Sequence, residues 1–187
     1  VLSNNFEQLN WRAEIEPRSV TIPLTEPKDI KTALRNHQKD SLDWQIGAWE
    51  AGLPGVLNAD EPGLGKTLQT LSFLAWLRVQ LAENVEAKAK GPILIVAPTT
   101  LLENWEQEVG QHMTSSGLGQ LIRLYGSATS ARKRTGAIGL DTEAGADLLD
   151  LDFLIEATKQ GHGHSFWVLT TYTTLTWPNS IFSCCIR

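Results

Sequence analysis

Residues 56–71 read Val56-Leu57-Asn58-Ala59-Asp60-Glu61-Pro62-Gly63-Leu64-Gly65-Lys66-Thr67-Leu68-Gln69-Thr70-Leu71. Val56-Leu57 reads as the centre of a short buried strand ending near Ala59. A glycine-rich loop follows, and from Thr67 to about Glu83 the apolar residues Leu68, Leu71, Phe73, Leu74, Trp76, Leu77 and Leu81 predict a helix. Strand, glycine loop and helix in that order are the context a phosphate-binding loop requires. Gly63 and Gly65 let the backbone turn tightly, so that successive N–H groups face inward as an anion nest. The helix that starts at Lys66-Thr67 adds the positive end of its dipole. In such a loop Lys66 bridges the β- and γ-phosphates and the Thr67 hydroxyl ligates Mg²⁺, which makes ATP and Mg²⁺ the expected cofactors. The full pattern asks for Gly where Asp60 stands, so only its second half, Gly-x-Gly-Lys-Thr, is present. The competing reading is a glycine turn before a helix with an exposed lysine; the flanking strand and helix argue against it.

Outward from the loop, apolar spacing from Leu34 to Trp49 predicts a helix, closed by Gly52-Leu53-Pro54-Gly55. Downstream, Ile93-Leu94-Ile95-Val96-Ala97 is a continuous branched run, the pattern of a parallel strand covered on both faces. Pro98 stops it, and a helix is expected from about Leu101 to His112. Leu121–Tyr125 and Phe166–Thr170 are further strands, with an amphipathic helix from about Ala146 to Lys159 between them. Strands alternating with helices predict an α/β fold: a three-layer lobe with a mainly parallel sheet. Residues 1–33, punctuated by Pro17, Pro23 and Pro27, read as an extended lead-in.

The 187 residues suit one domain, and 42% hydrophobic with 20% charged residues is ordinary for a globular chain. A net charge of −5 gives no overall signature of nucleic-acid binding, although it leaves room for a local cleft. The only cysteines, Cys184 and Cys185, are adjacent and form no disulfide framework, so a reducing, intracellular location is expected. No apolar run is long enough for a membrane span, and no signal peptide is visible. The missing initiator Met leads us to expect residues in front of Val1. Gly161-His162-Gly163-His164 has a His-x-His spacing but no third ligand in view, and reads as a flexible loop. Arg132, Lys133 and Arg134 form a basic patch that suits DNA phosphates and a solvated surface equally. Leu148-Leu149-Asp150-Leu151-Asp152 ends in acids, but its helical spacing favours a solvated helix over a strand carrying a metal-binding pair.

Four segments, in order, resemble the Swi/Snf-like family of helicase-superfamily ATPases. Leu34-Arg35-Asn36-His37-Gln38, followed by Trp44, resembles its Q motif. LNADEPGLGKTLQTLSFLAWL resembles motif I, ILIVAPTTLLENWEQEV motif Ia, and VLTTYTTL motif Ib. The resemblance covers residues 34–175 and implies the ATP-binding, RecA-like lobe of a translocase that acts on double-stranded DNA. It implies that Gln38 reads the adenine edge with Arg35 nearby, as the donor and acceptor of an amide permit. It also implies that the loop Asp60, Glu61, Pro62, Gly63, Leu64, Gly65, Lys66 and Thr67 holds the phosphates and Mg²⁺, with Lys66 in the catalytic role. Thr99, Thr100, Asn104, Thr171 and Tyr172 would meet DNA. For Trp105 core packing is the favoured alternative, and for Thr171 and Tyr172 an ordinary strand end is as good a reading as a DNA contact. Location is then cytoplasmic or nucleoid in a bacterium and nuclear in a eukaryote.

Departures from the family pattern also carry expectations. Pro62 replaces Met and removes one N–H from the loop. Asn58 replaces an apolar residue and needs a polar partner if buried. No Asp-Glu-x-His strand follows Leu175, and residues 176–187 do not resemble the family. The expectation is therefore a lobe incomplete at its C-terminal end, truncated or frame-shifted near Thr176–Trp177 and lacking a second RecA-like lobe. Such a chain binds ATP without appreciable hydrolysis. A stand-alone nucleotide-binding module and a non-functional remnant are the rival readings.

Overall fold

The protein is described from a computed structural model over residues 16–18, 26–83, 91–126 and 151–175. The expectations for Arg132–Arg134, the start of the helix at Ala146, the tail with Cys184 and Cys185, and most of the lead-in lie outside those residues. The elements are α1 (Asn36–Glu50), α2 (Lys66–Glu83), β1 (Ile93–Val96), α3 (Leu102–His112), β2 (Gln120–Leu124), α4 (Asp152–Lys159), β3 (Phe166–Thr170) and α5 (Tyr172–Leu175).

The strands form a parallel sheet in the order β1-β3-β2. Parallel neighbours need crossover connections, and α3 and α4 supply them. The last strand in sequence lies in the middle, and its side chains alternate between two cores. Trp167 and Leu169 join Leu71, Ala75, Ile93, Ile95 and Leu102 on the face covered by α2 and α3. Val168 joins Ile122, Leu124, Leu151 and Leu154 on the face covered by α4. Helices on both faces make three layers, as expected of an α/β lobe.

The apolar girdle of α2 has a direct explanation. Leu71 and Ala75 face the sheet, while Leu68 and Trp76 meet Leu34, Leu42 and Ile46 of the α1 region. Leu71 is fully buried, so truncation to Ala would cost roughly 2–5 kcal/mol. Buried Ser72 bonds within the helix, its Oγ donating to the Leu68 carbonyl at 2.8 Å, whereas buried Gln69 bonds residues outside it. Ahead of α1, Ile30 forms an antiparallel bridge with Met113, and Lys31 N–H donates to the His112 carbonyl, which lays the lead-in against the end of α3.

Two expectations are corrected. Val56-Leu57 is not a buried strand: Leu57 is 85% exposed and Val56 44% exposed. A strand needs a partner ladder, and among the described residues none runs beside this segment. β1 is likewise not covered on both faces by the described residues. Among the described residues it is a sheet edge whose residues alternate, with Ile93 and Ile95 buried and Leu94 and Val96 exposed. An unbroken apolar run cannot reveal this: among the described residues the core under α4 takes in residues of β2 and β3 and none of β1.

Candidate functional site

The glycine loop lies between α1 and α2. Gly63 and Gly65 both have positive φ, +89° and +78°, the left-handed conformation that the tight turn demands. Its apex is gripped from both helices: the Leu64 carbonyl accepts from His37 Nε2 at 3.2 Å, Gln38 Nε2 at 3.3 Å and Gln69 Nε2 at 3.3 Å. Lys66 folds back over the loop, its ammonium donating to the carbonyls of Asp60 (2.7 Å) and Glu61 (3.0 Å). Asn58 has the polar partner it needs, with Nδ2 donating to Gln69 Oε1 at 2.6 Å.

A cavity of about 360 Å³ opens beside the loop. It brings together Arg35, Gln38, Gly63, Gly65 and Thr67, residues from α1 and the loop that sequence reasoning had grouped. Asp60 and Leu64 face a second cavity of about 550 Å³, with His37, Trp44 and Leu57. Glu61, Pro62 and Lys66 line neither. Gln38 is buried and its amide is spent internally: Oε1 accepts the Arg35 backbone N–H at 3.0 Å while Nε2 holds the Leu64 carbonyl.

Sequence reasoning missed the far wall of the first cavity, formed by Thr32, Glu108 and His112. His112 Nε2 lies 3.2 Å from Glu108 Oε2, one helical turn away, and its Nδ1 lies 2.7 Å from Thr32 Oγ1. The only local signal is the i,i+4 spacing of Glu108 and His112. Nothing in it tells that α3 ends against the cavity.

The residues expected to meet DNA gather at one end of the sheet. β1 and β3 are parallel neighbours, with Val96 opposite Thr170. Thr99 and Thr100 follow β1 in a 3-10 turn, exposed, and Asn104 is exposed in the first turn of α3. Thr171 and Tyr172 follow β3. The pair is not equivalent: Tyr172 is 72% exposed, whereas Thr171 is buried and its hydroxyl bonds Thr173, Thr174 and the Thr174 N–H at the start of α5. Trp105 is half-buried and packs on the core. His162 precedes a short 3-10 turn, Gly163–Ser165, and His164 lies within it, ahead of β3.

α3 is tied to the sheet by a charged cluster. Arg123 donates to both oxygens of Glu106, at 2.7 and 2.5 Å, and the Tyr125 hydroxyl also donates to Glu106. The bidentate guanidinium holds the Glu106 carboxyl below its ordinary range. Tyr125 is raised, by burial first and by the Glu106 carboxylate second.

A parallel sheet layered between helices, with a glycine loop leading into α2, defines the class: an incomplete α/β lobe of RecA type. The chain belongs to the SNF2-related domain family, whose model matches residues 37–185. It is the N-terminal lobe of a Swi/Snf-like superfamily-two ATPase. Among curated proteins it is similar to the chromatin-remodeling ATPase INO80 of Pyricularia oryzae, 35% identical over 111 residues (59% of this chain, 5% of that protein). The similarity to the Candida albicans INO80 ATPase is 39% over 105 residues (56% and 7%), and to that of Arabidopsis thaliana 42% over 92 residues (49% and 6%). The chain thus spans only a small part of the length of these relatives. Among the described residues no helix is long and apolar enough to cross a membrane.

Proposed function

We propose that this lobe binds ATP with Mg²⁺ in the cavity between α1, the glycine loop and the end of α3. The observation that carries the proposal is the cavity lining: Arg35, Gln38, Gly63, Gly65 and Thr67 converge on it from separate elements. The donor set fits a polyphosphate. Backbone N–H groups of a loop with two left-handed glycines and the start of an 18-residue helix favour an anion. Thr67 supplies a hydroxyl for Mg²⁺. When bound, the metal neutralises charge on the β- and γ-phosphate oxygens. Lys66 exchanges its two carbonyl partners for phosphate oxygens, and Gln38 turns its amide from the Leu64 carbonyl to the adenine edge.

Residues 34–175 make up this nucleotide-binding lobe. The 187-residue chain presents no Asp-Glu-x-His element to position an attacking water, so by itself it binds ATP without appreciable hydrolysis. Assembled with a second lobe, it serves a translocase on double-stranded DNA. Thr99, Thr100, Asn104 and Tyr172 then contact one strand's phosphates at the shared end of β1 and β3. The relatives are chromatin-remodeling ATPases of fungi and a plant, which supports DNA as partner and the nucleus as location.

The test is thermal denaturation with and without Mg-ATP. A ligand at ~100 times its Kd stabilises the folded state by about 2.7 kcal/mol, or roughly 5–10 °C for a chain of this size. The shift should vanish in Lys66→Ala. Equal melting with and without nucleotide at millimolar concentration rejects the proposal.

A further inference from the structure

The polar side chains under the loop form a closed ring that nothing in the proposed binding chemistry uses. Asp60 N–H donates to Asn58 Oδ1 at 3.1 Å, Asn58 Nδ2 donates to Gln69 Oε1 at 2.6 Å, and Gln69 Nε2 donates back to Asp60 Oδ2 at 3.1 Å. Two spokes leave it at Gln69. Ser41 Oγ of α1 donates to Gln69 Oε1 at 2.9 Å, and Gln69 Nε2 donates to the Leu64 carbonyl at 3.3 Å. Gln69 is 0% exposed, and these contacts use the two donors and two acceptor positions of its amide. The orientation is forced. A carboxylate and a carbonyl accept only, so the Gln69 NH₂ must face Asp60 and Leu64. The Asp60 N–H likewise fixes the Asn58 oxygen and turns the Asn58 amide nitrogen to Gln69.

We infer that Gln69 is the positioning residue of the glycine loop. From one buried amide it holds the loop's entry at Asp60, its apex at Leu64 and its distance from α1 at Ser41. The inference rests on the reading that the loop binds phosphate. Among the described residues Gln38 is the only other side-chain amide on the Leu64 carbonyl, and it leaves when it turns to the base. Gln69, the buried donor that remains beside the more exposed His37, then keeps the apex in place, so that the N–H nest survives engagement of the nucleotide. Because Gln69 is buried and fully paired, any other orientation of its amide leaves its own donors or acceptors unpaired.

The decisive variant is Gln69→Glu, which sets a carboxylate against Asp60 and the Leu64 carbonyl. Mg-ATP affinity, by calorimetric titration, should fall about tenfold, the effect of losing one hydrogen bond to a charged group. Amide hydrogen exchange over residues 57–66 should accelerate in the absence of nucleotide. Adding Asp60→Asn restores a donor opposite the introduced carboxylate and should recover most of both losses. Ser72→Ala, a buried polar change on the same helix outside the ring, should leave affinity and the exchange of 57–66 unchanged. If Gln69→Glu does not fold, Asn58→Leu removes one side of the ring and is read the same way, with a smaller effect. Unaltered affinity and exchange in the variants overturn the inference, as does a loss that Asp60→Asn does not recover. If the natural chain binds no Mg-ATP, the nucleotide reading fails and the exchange data alone decide: acceleration confined to 57–66 supports the ring, none refutes it.

Discussion

Lys66 Nζ donates to the Asp60 carbonyl at 2.7 Å, so the loop's own backbone takes up the cation that we propose for phosphate. These contacts are exposed, so Lys66→Met should change the melting temperature of the nucleotide-free chain little, by less than ~1 kcal/mol of stability. The same substitution should remove the stabilisation by Mg-ATP. A Met variant that retained the full nucleotide shift would show that Lys66 stays on its carbonyls when nucleotide binds.

Much of this architecture was legible in the sequence. Periodicity located α1, α2, α3 and all the strands of the sheet to within about two residues, since each has a long apolar pattern and a glycine or proline boundary. The grouping of Gln38 with Gly63, Gly65 and Thr67 was legible through the family motifs. What failed was non-local. Val56-Leu57 has strand-forming residues, but pairing depends on a neighbour elsewhere in the chain. Leu94 and Val96 look like core, but their exposure depends on how far α4 reaches. Glu108 and His112 were missed because their role depends on where the end of α3 docks. Gln69 was hidden for another reason: a lone Gln in an apolar helix shows its function only once its partners are known.

Glu106 and Arg123 give a pH signature. The carboxyl of Glu106 is lowered from 4.5 by the bidentate guanidinium. A carboxylate with a depressed folded pKa contributes stability that is fully present above the unfolded value and is lost as pH falls through the folded value. Arg123→Ala should therefore flatten the fall of stability below pH 4.5 and cost at most about 1 kcal/mol at neutral pH, since Arg123 is half exposed. Urea titrations from about pH 3 to 7 measure both. An unchanged acid slope in the variant would mean that Glu106 gains nothing from Arg123.

The far wall of the cavity supplies a carboxylate acceptor. Glu108 accepts only, and it faces the cavity with His112. If ATP occupies this cavity as proposed, a carboxylate here can accept from ribose hydroxyls or the exocyclic amine of the base. Glu108→Gln should weaken ATP binding about three- to tenfold, in line with ~1 kcal/mol for one hydrogen bond, and leave inorganic triphosphate binding unchanged. Equal losses for both ligands would place Glu108 at the phosphates instead.

Gly63 and Gly65 separate backbone strain from recognition. Both have positive φ, so alanine at either position incurs the left-handed penalty of about 1–2 kcal/mol. Their surroundings differ. A Cβ on Gly63 meets nothing within 4 Å, whereas one on Gly65 lies 2.5 Å from Gln38 Nε2. Gly65→Ala must therefore push Gln38 off the Leu64 carbonyl and away from the cavity; Gly63→Ala need not. The two variants should lose similar stability without nucleotide, but only Gly65→Ala should lose the preference for ATP over GTP. Competition titrations with the two nucleotides measure this directly. If both variants discriminate as the natural chain does, Gln38 does not read the base.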